Sequence, residues 1–261
     1  MSADRLVSSS VIKSDSYWTE KRATIAATGL KSTIMMITLL DIFIAILSLA
    51  ISCNGENCLS GRYHKLSSGP EPGMEECRRF SHSSCCFSNY TEELAVSPMS
   101  KVDNTYWDRC GQLSPRCEEY VKKIDCFFHC SPLVFNWANP NNSYSIHNVP
   151  ICKSFCDDWF AACMNDRTCV RSWISDWEWD QHGNNCRNEC IPYQQMYRNG
   201  KDLCESMWGM SFKVPSCPCH CLMLDDDDGN VVQHLQSHNS GTPNPMEPYC
   251  QRRKNRQREV K

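Results

Sequence analysis

The hydrophobic rhythm of the chain changes near residue 52. From Ile34 to Ile51 apolar residues run almost unbroken, interrupted by Thr38, Asp41 and Ser48. Further on, apolar positions recur at steps of three or four, the spacing of one helix face, and Cys takes many of them. After Pro150, the residues Cys152, Phe155, Cys156, Trp159, Phe160 and Cys163 make one such stripe. Pro suits a first helical position, so a helix is predicted from there. A second is predicted from Ser114-Pro115, with Cys117, Tyr120, Val121, Ile124 and Phe128 inward. A third should hold Trp173 and Trp177, and a fourth Cys204, Met207 and Trp208. Cys126/Cys130, Cys152/Cys156 and Cys186/Cys190 each stand four apart, which on a helix places both sulfurs on one side. Such helices are stapled to their neighbours rather than packed round a large aliphatic core.

The apolar run at 34–51 has two readings. A membrane span needs about 20 apolar residues, and a charge at its centre costs roughly 2.5–3.5 kcal/mol. The run has that length but carries Asp41 near its middle. It follows Lys31 and ends Ala50-Ile51-Ser52, with small residues where a signal peptidase cuts. The expectation is a signal-peptide region over residues 1–52, with a retained anchor as the alternative. The long leader ahead of the run would be shortened by a start at Met35 or Met36. The other end, Gln251 to Lys261, is basic, with none of the apolar tail a lipid-anchor signal requires, so no lipid anchor is expected.

All 20 Cys of the 261 residues lie beyond position 52. Cytosolic thiols are few and kept reduced, so this density points to an oxidised, secreted, extracellular domain. An apolar share of 41% with 8 Trp argues against disorder. The formal charge of −3 gives no basic surface for nucleic acid. The sequons Asn89-Tyr90-Thr91 and Asn141-Asn142-Ser143 make Asn89 and Asn141 candidate glycosylation sites, consistent with the secretory route. Cys217-Pro218-Cys219-His220-Cys221 could suit zinc by composition, but C-x-C crowds the ligands and no C-x2-C knuckle accompanies it, so no metal is expected. Asp225–Asp228 before Gly229 lacks the spaced ligands of a calcium loop and reads as a surface turn. No nucleophile elbow, zincin helix or phosphate loop is present, so the chain is not expected to be an enzyme. What remains is an excess of Trp. Trp107 and Trp159 read as core; beyond core need, the surplus suits a flat aromatic ligand held by stacking.

Cys85-Cys86, Tyr106-Trp107-Asp108-Arg109-Cys110-Gly111-Gln112-Leu113-Ser114, Val149-Pro150-Ile151-Cys152, Cys156-Asp157-Asp158-Trp159 and Cys204-Glu205-Ser206-Met207-Trp208-Gly209 together resemble the family of riboflavin-binding proteins and folate receptors. The likeness runs from Cys58 to Cys221 and weakly on to Cys250, with several strings closer to the riboflavin-binding branch. It implies a mostly helical α+β fold, a disulfide-rich single globular domain with a few short strands, over residues 53–224. Residues 225–261 form an acidic, then basic tail tied by Cys250. The family's bridges, laid on these positions, are Cys58–Cys85, Cys77–Cys126, Cys86–Cys130, Cys110–Cys190, Cys117–Cys163, Cys152–Cys221, Cys156–Cys204 and Cys169–Cys186, with a ninth at Cys219–Cys250. Cys53 and Cys217 are left without an assigned pairing.

The resemblance also implies a function: a secreted binding and transport protein for riboflavin, a small-molecule vitamin, held as a ligand and not as a catalytic cofactor. Its ring would lie between Phe128 and Trp208, with Trp173, Trp177 and Trp179 as walls and Ser211 supplying a hydroxyl. Where folate receptors hold the pterin with a carboxylate, this chain has Ile124; where they have a Trp-Arg pair, it has Asn141-Asn142. Asp125 is expected to point roughly 100° away from Ile124 on a helix and to be a poor substitute. A monomer is expected, with an uptake receptor as a further partner. The alternatives are an extracellular interaction module that has lost the small ligand, and a folate binder with rearranged contacts.

Overall fold

The chain is held together by sulfur, and the helices are placed by their bridges. The computed structural model describes residues 56–216 and 220–238. Six α-helices lie among them: α1 Ser88–Ala95, α2 Pro115–Cys130, α3 Lys153–Cys163, α4 Tyr193–Met196, α5 Gly200–Ser206 and α6 Asp228–His238. The strands are short and pair two by two, and among the described residues no sheet exceeds two strands. This is the mostly helical α+β domain with minor strands that the sequence implies.

Helix α2 is the hub. Its Cys117 bridges to Cys163 at the end of α3, Cys126 to Cys77, and Cys130 to Cys86 on the strand Ser84–Cys86. Cys85, the next residue back, bridges to Cys58. Helix α3 is tied to α5 by Cys156–Cys204. That contact is close enough to demand glycine: a Cβ on Gly200 would stand 2.3 Å from the Cys156 carbonyl oxygen. The bridges close segments of 17 to 80 residues, and each contributes about 2–4 kcal/mol, largely by restricting the unfolded chain. Under them lie Trp159, Phe127, Leu203 and Met207, each fully buried.

Two predicted helices begin or end elsewhere, and one does not form. Pro150 sits in the strand Val149–Pro150, paired in parallel with Phe212–Lys213, so α3 starts after Cys152 rather than at the proline. The stretch around Trp173 and Trp177 is not helical. The Asp176 carboxylate accepts the backbone N–H groups of Ser172 (2.8 Å) and Arg171 (3.2 Å), closing the segment into a side-chain-held turn. Helix α5 stops at Ser206, leaving Trp208 in the turn beyond it, where Gly209 takes φ +59°. Cys186 and Cys190 likewise share no helix. They belong to separate bridges, Cys169–Cys186 and Cys110–Cys190.

The acidic run is a turn that becomes a helix start. Asp228 is buried and accepts from the backbone N–H groups of Met223 (2.9 Å) and Asp225 (3.2 Å). Residues 1–55, 217–219 and 239–261 lie outside the described residues. With them go the signal region, Cys53, Cys217 and the Cys219–Cys250 bridge. No helix among the described residues is long and apolar enough to cross a membrane.

Candidate ligand pocket

Helix α2 presents Phe128 from its last turn. The turn after α5 presents Trp208, and the loop closed by Cys169–Cys186 presents Trp173, Trp177 and Trp179. All five, with Ser211, line one cavity of about 380 Å³, within the range of small-molecule sites. Among the described residues Phe128 and Trp208 make no ring contact with each other. Phe128 meets His64 and His129, and Trp208 meets Trp107 and Trp173. The two faces are thus separate walls of open space rather than a filled core.

The tryptophan wall is stiffened from within. Trp173 packs 4.6 Å from Trp107 and stands edge-on to Trp177 at 5.1 Å. Its backbone N–H donates to the Met207 carbonyl at 2.7 Å, joining the tryptophan loop to the end of α5. The chain then returns through Ser211, whose N–H donates to the Trp208 carbonyl, into the parallel strand pair with Val149–Pro150. Trp177 is buried, whereas Trp179, on the strand Glu178–Asp180, is 54% exposed.

Polar groups gather at the Phe128 side. The Tyr90 hydroxyl donates to Asp125 and lies 2.9 Å from His129 Nδ1. His129 Nδ1 is in turn 3.2 Å from Asp125 Oδ1. Burial and the Asp125 charge together push the Tyr90 hydroxyl pKa well up, so it stays a donor. His64 stacks 5.3 Å from His129, and its Nε2 lies 3.3 Å from the Phe128 carbonyl oxygen. That acceptor requires the proton on Nε2. Burial, and then the charge of His129, lower the His64 pKa to about 4. Toward solvent, Asp103 accepts from the Tyr63 hydroxyl at 2.7 Å and from Arg62 at 2.9 Å.

The expectation for Asp125 needs correcting. It lines the cavity beside Ile124, because α2 runs along the wall and presents both positions to it. Its oxygens, however, are already taken by Tyr90 and His129. Trp107, read from sequence as core, is also pocket wall, whereas Trp159 is core and fully buried. Tyr63, Tyr90, Asp103, His129 and Tyr144 line the cavity too, and no spacing pattern announces them. They arrive from five separate segments. Of the two sequons, Asn89 stands on α1 and Asn141 is exposed on the hairpin turn between Ala138–Asn139 and Asn142–Ile146.

Four sulfurs of Cys110, Cys169, Cys186 and Cys190 cluster within 4.8 Å of one another, but all four are spent in two disulfides.

The folate receptor family matches over residues 57–223. The chain belongs to the folate receptor family. It is 53% identical over 190 residues to the riboflavin-binding protein of Dromaius novaehollandiae, covering 72% of this chain and 80% of that one. The riboflavin-binding protein of Gallus gallus is 50% identical over the same shares. Folate receptor gamma of Homo sapiens is more distant, 29% identical over 68% of this chain and 77% of its own. Within the family, then, this chain stands nearer to proteins named for riboflavin than to those named for folate.

Proposed function

We propose that the protein binds riboflavin in this cavity and carries it outside the cell. The observation that carries the reading is that two aromatic rings with no contact to each other among the described residues, Phe128 and Trp208, line one open cavity of about 380 Å³. A flat ring inserted between them would gain stacking on both sides. The polar anchors that would favour a pterin with its glutamate tail are missing from their family positions, now Ile124 and Asn141-Asn142, while the Asp125 carboxylate on the same wall is engaged by Tyr90 and His129 and the Arg62 guanidinium pairs with Asp103. A buried pterin donor left unpaired there costs about 1–3 kcal/mol. The isoalloxazine ring has an apolar dimethylbenzene edge that tolerates such a wall. Trp173, Trp177 and Trp179 would flank the ring, and Ser211 would offer a hydroxyl.

The reading is one of binding rather than reaction: Asp125, His129 and Tyr90 on the cavity wall satisfy one another and attend no nucleophile. Passage through the secretory route, glycans at Asn89 and Asn141, and a ninth bridge at Cys219–Cys250 belong to the same reading. An open cavity argues for a carrier over an interaction module with a filled pocket.

The test is a fluorescence titration of the oxidised protein with riboflavin, run beside folic acid. Quenching of the flavin that saturates at one equivalent, with folic acid inert, is expected. A correctly bridged protein that quenches neither ligand would overturn the reading.

A further inference from the structure

Asp103 occupies an unusual place on the cavity rim. It sits at the tip of a two-residue turn between Lys101–Val102 and Thr105–Tyr106, with the left-handed φ of +53° that such a turn demands. Asp tolerates that conformation better than most residues. Three contacts fix it. Its backbone N–H donates to Glu93 Oε2 of α1 at 2.6 Å, and both Tyr63 (2.7 Å) and Arg62 (2.9 Å) donate to the same oxygen, Oδ1. Two segments 40 residues apart are thereby latched at one carboxylate. Among the described residues no donor is found on Oδ2, and the side chain is 39% exposed.

The rim charge follows from this arrangement. Asp103 and Glu93 place two carboxylates at the turn, and Arg62, 78% exposed, supplies one cation already committed to Asp103. Deeper in the wall Asp125 adds a further carboxylate. A ligand tail leaving the stacked ring here would meet hydroxyl-accepting oxygen at a turn where the two carboxylates Asp103 and Glu93 outnumber the one guanidinium, Arg62. Thr105 and Ser145 complete a rim suited to hydroxyl groups.

Resting on the proposed flavin reading, we propose that Asp103 sets the pocket's tail specificity: it accepts from an uncharged polyol and turns away a tail carrying phosphate. The carboxylate does this in two ways. Oδ2 takes a hydroxyl proton donor from the polyol, which a phosphate dianion cannot offer in the same place. The like charge then penalises a phosphorylated tail, which carries close to two negative charges at neutral pH.

The experiment compares riboflavin, its 5′-phosphate (FMN) and lumiflavin, which lacks the polyol, on wild type and Asp103→Asn at neutral pH. Circular dichroism and intact mass check that both proteins are folded and bridged. Wild type should bind riboflavin at least about tenfold more tightly than FMN, since like charge across an interface is strongly disfavoured. Raising the salt should narrow that gap by screening. Asp103→Asn should narrow it at least about threefold while leaving lumiflavin unchanged, because only the tail meets residue 103. Equal or tighter binding of FMN by wild type would overturn the proposal, as would an undiminished gap in folded Asp103→Asn. Failure of wild type to bind riboflavin or lumiflavin would instead sink the flavin reading beneath it.

Discussion

The His64 ring stands edge-on to Phe128, with centroids 5.7 Å apart and planes at 88°, and its Nε2 meets the Phe128 carbonyl oxygen at 3.3 Å. One imidazole thus braces both the ring and the backbone of the residue that forms one face of the pocket. The brace is tight on its other side as well: a Cβ on Gly61 would fall 2.4 Å from His64 Nδ1.

That brace carries a pH dependence. The His64 pKa is lowered to about 4, below the ordinary imidazole value, by burial and by His129. The unfolded chain therefore takes up a proton as pH falls through about 6.5, while the folded chain resists until about 4. Stability is full above this window and declines across it, by at most about 3.5 kcal/mol for this group. Thermal melts between pH 7 and pH 4 should show a shallower decline for His64→Gln than for wild type. Identical slopes would remove His64 as the cause.

Trp208→Ala should separate binding from folding. The ring is half-buried at the cavity wall, packed on Trp107 and Trp173, so melting should fall while the bridged fold persists. Loss of one stacking face should weaken riboflavin by more than about thirtyfold, the scale of an aromatic hot spot. Phe128→Ala should behave alike. Retained affinity in either folded variant would show that the ring lies elsewhere.

Gly200→Ala meets the opposite kind of obstacle. The new methyl would collide with backbone, the Cys156 carbonyl, which no side-chain rotation relieves. Helix α5 would have to move off α3 against the Cys156–Cys204 bridge. A loss of about 1–3 kcal/mol or more is expected from overpacking, read as a lower denaturant midpoint or reduced yield. A fully stable variant would mean the helices can part freely.

The Cys169–Cys186 bridge closes the loop that carries Trp173, Trp177 and Trp179. Replacing both cysteines by Ser should cost about 3 kcal/mol of stability, as expected for a loop of this length. Ligand affinity should fall further than stability does, since three wall residues lose their shared closure. Equal affinity in the folded double variant would show that the Met207 and Trp107 contacts suffice to hold the loop.

The stripe from Cys117 to Phe128 announced α2, because a helix repeats its inward face every three or four residues and Pro115 marks its start. The Cys density announced a stapled, oxidised domain, and the family resemblance supplied partners for the eight bridges that close in the described residues. Phe128, Trp173, Trp177, Trp179, Trp208 and Ser211 were all legible as candidates by resemblance, and they share one cavity. Local competition was not legible. Periodicity around Trp173 gave no sign that Asp176 would capture the backbone N–H groups of Arg171 and Ser172. Nor could spacing place Asp103 against Tyr63, or Tyr90 against Asp125 and His129, across 35 to 40 residues. Those meetings are contacts at long separation, fixed only once the bridges through α2 bring their segments together. The sequence by itself determined an oxidised, stapled domain and the inward stripe of α2, since both are written in residue type and local period; the bridge partners and the candidate pocket aromatics came through the family resemblance. The rim chemistry that surrounds them was decided by tertiary structure, since it comes from side chains that no local pattern links.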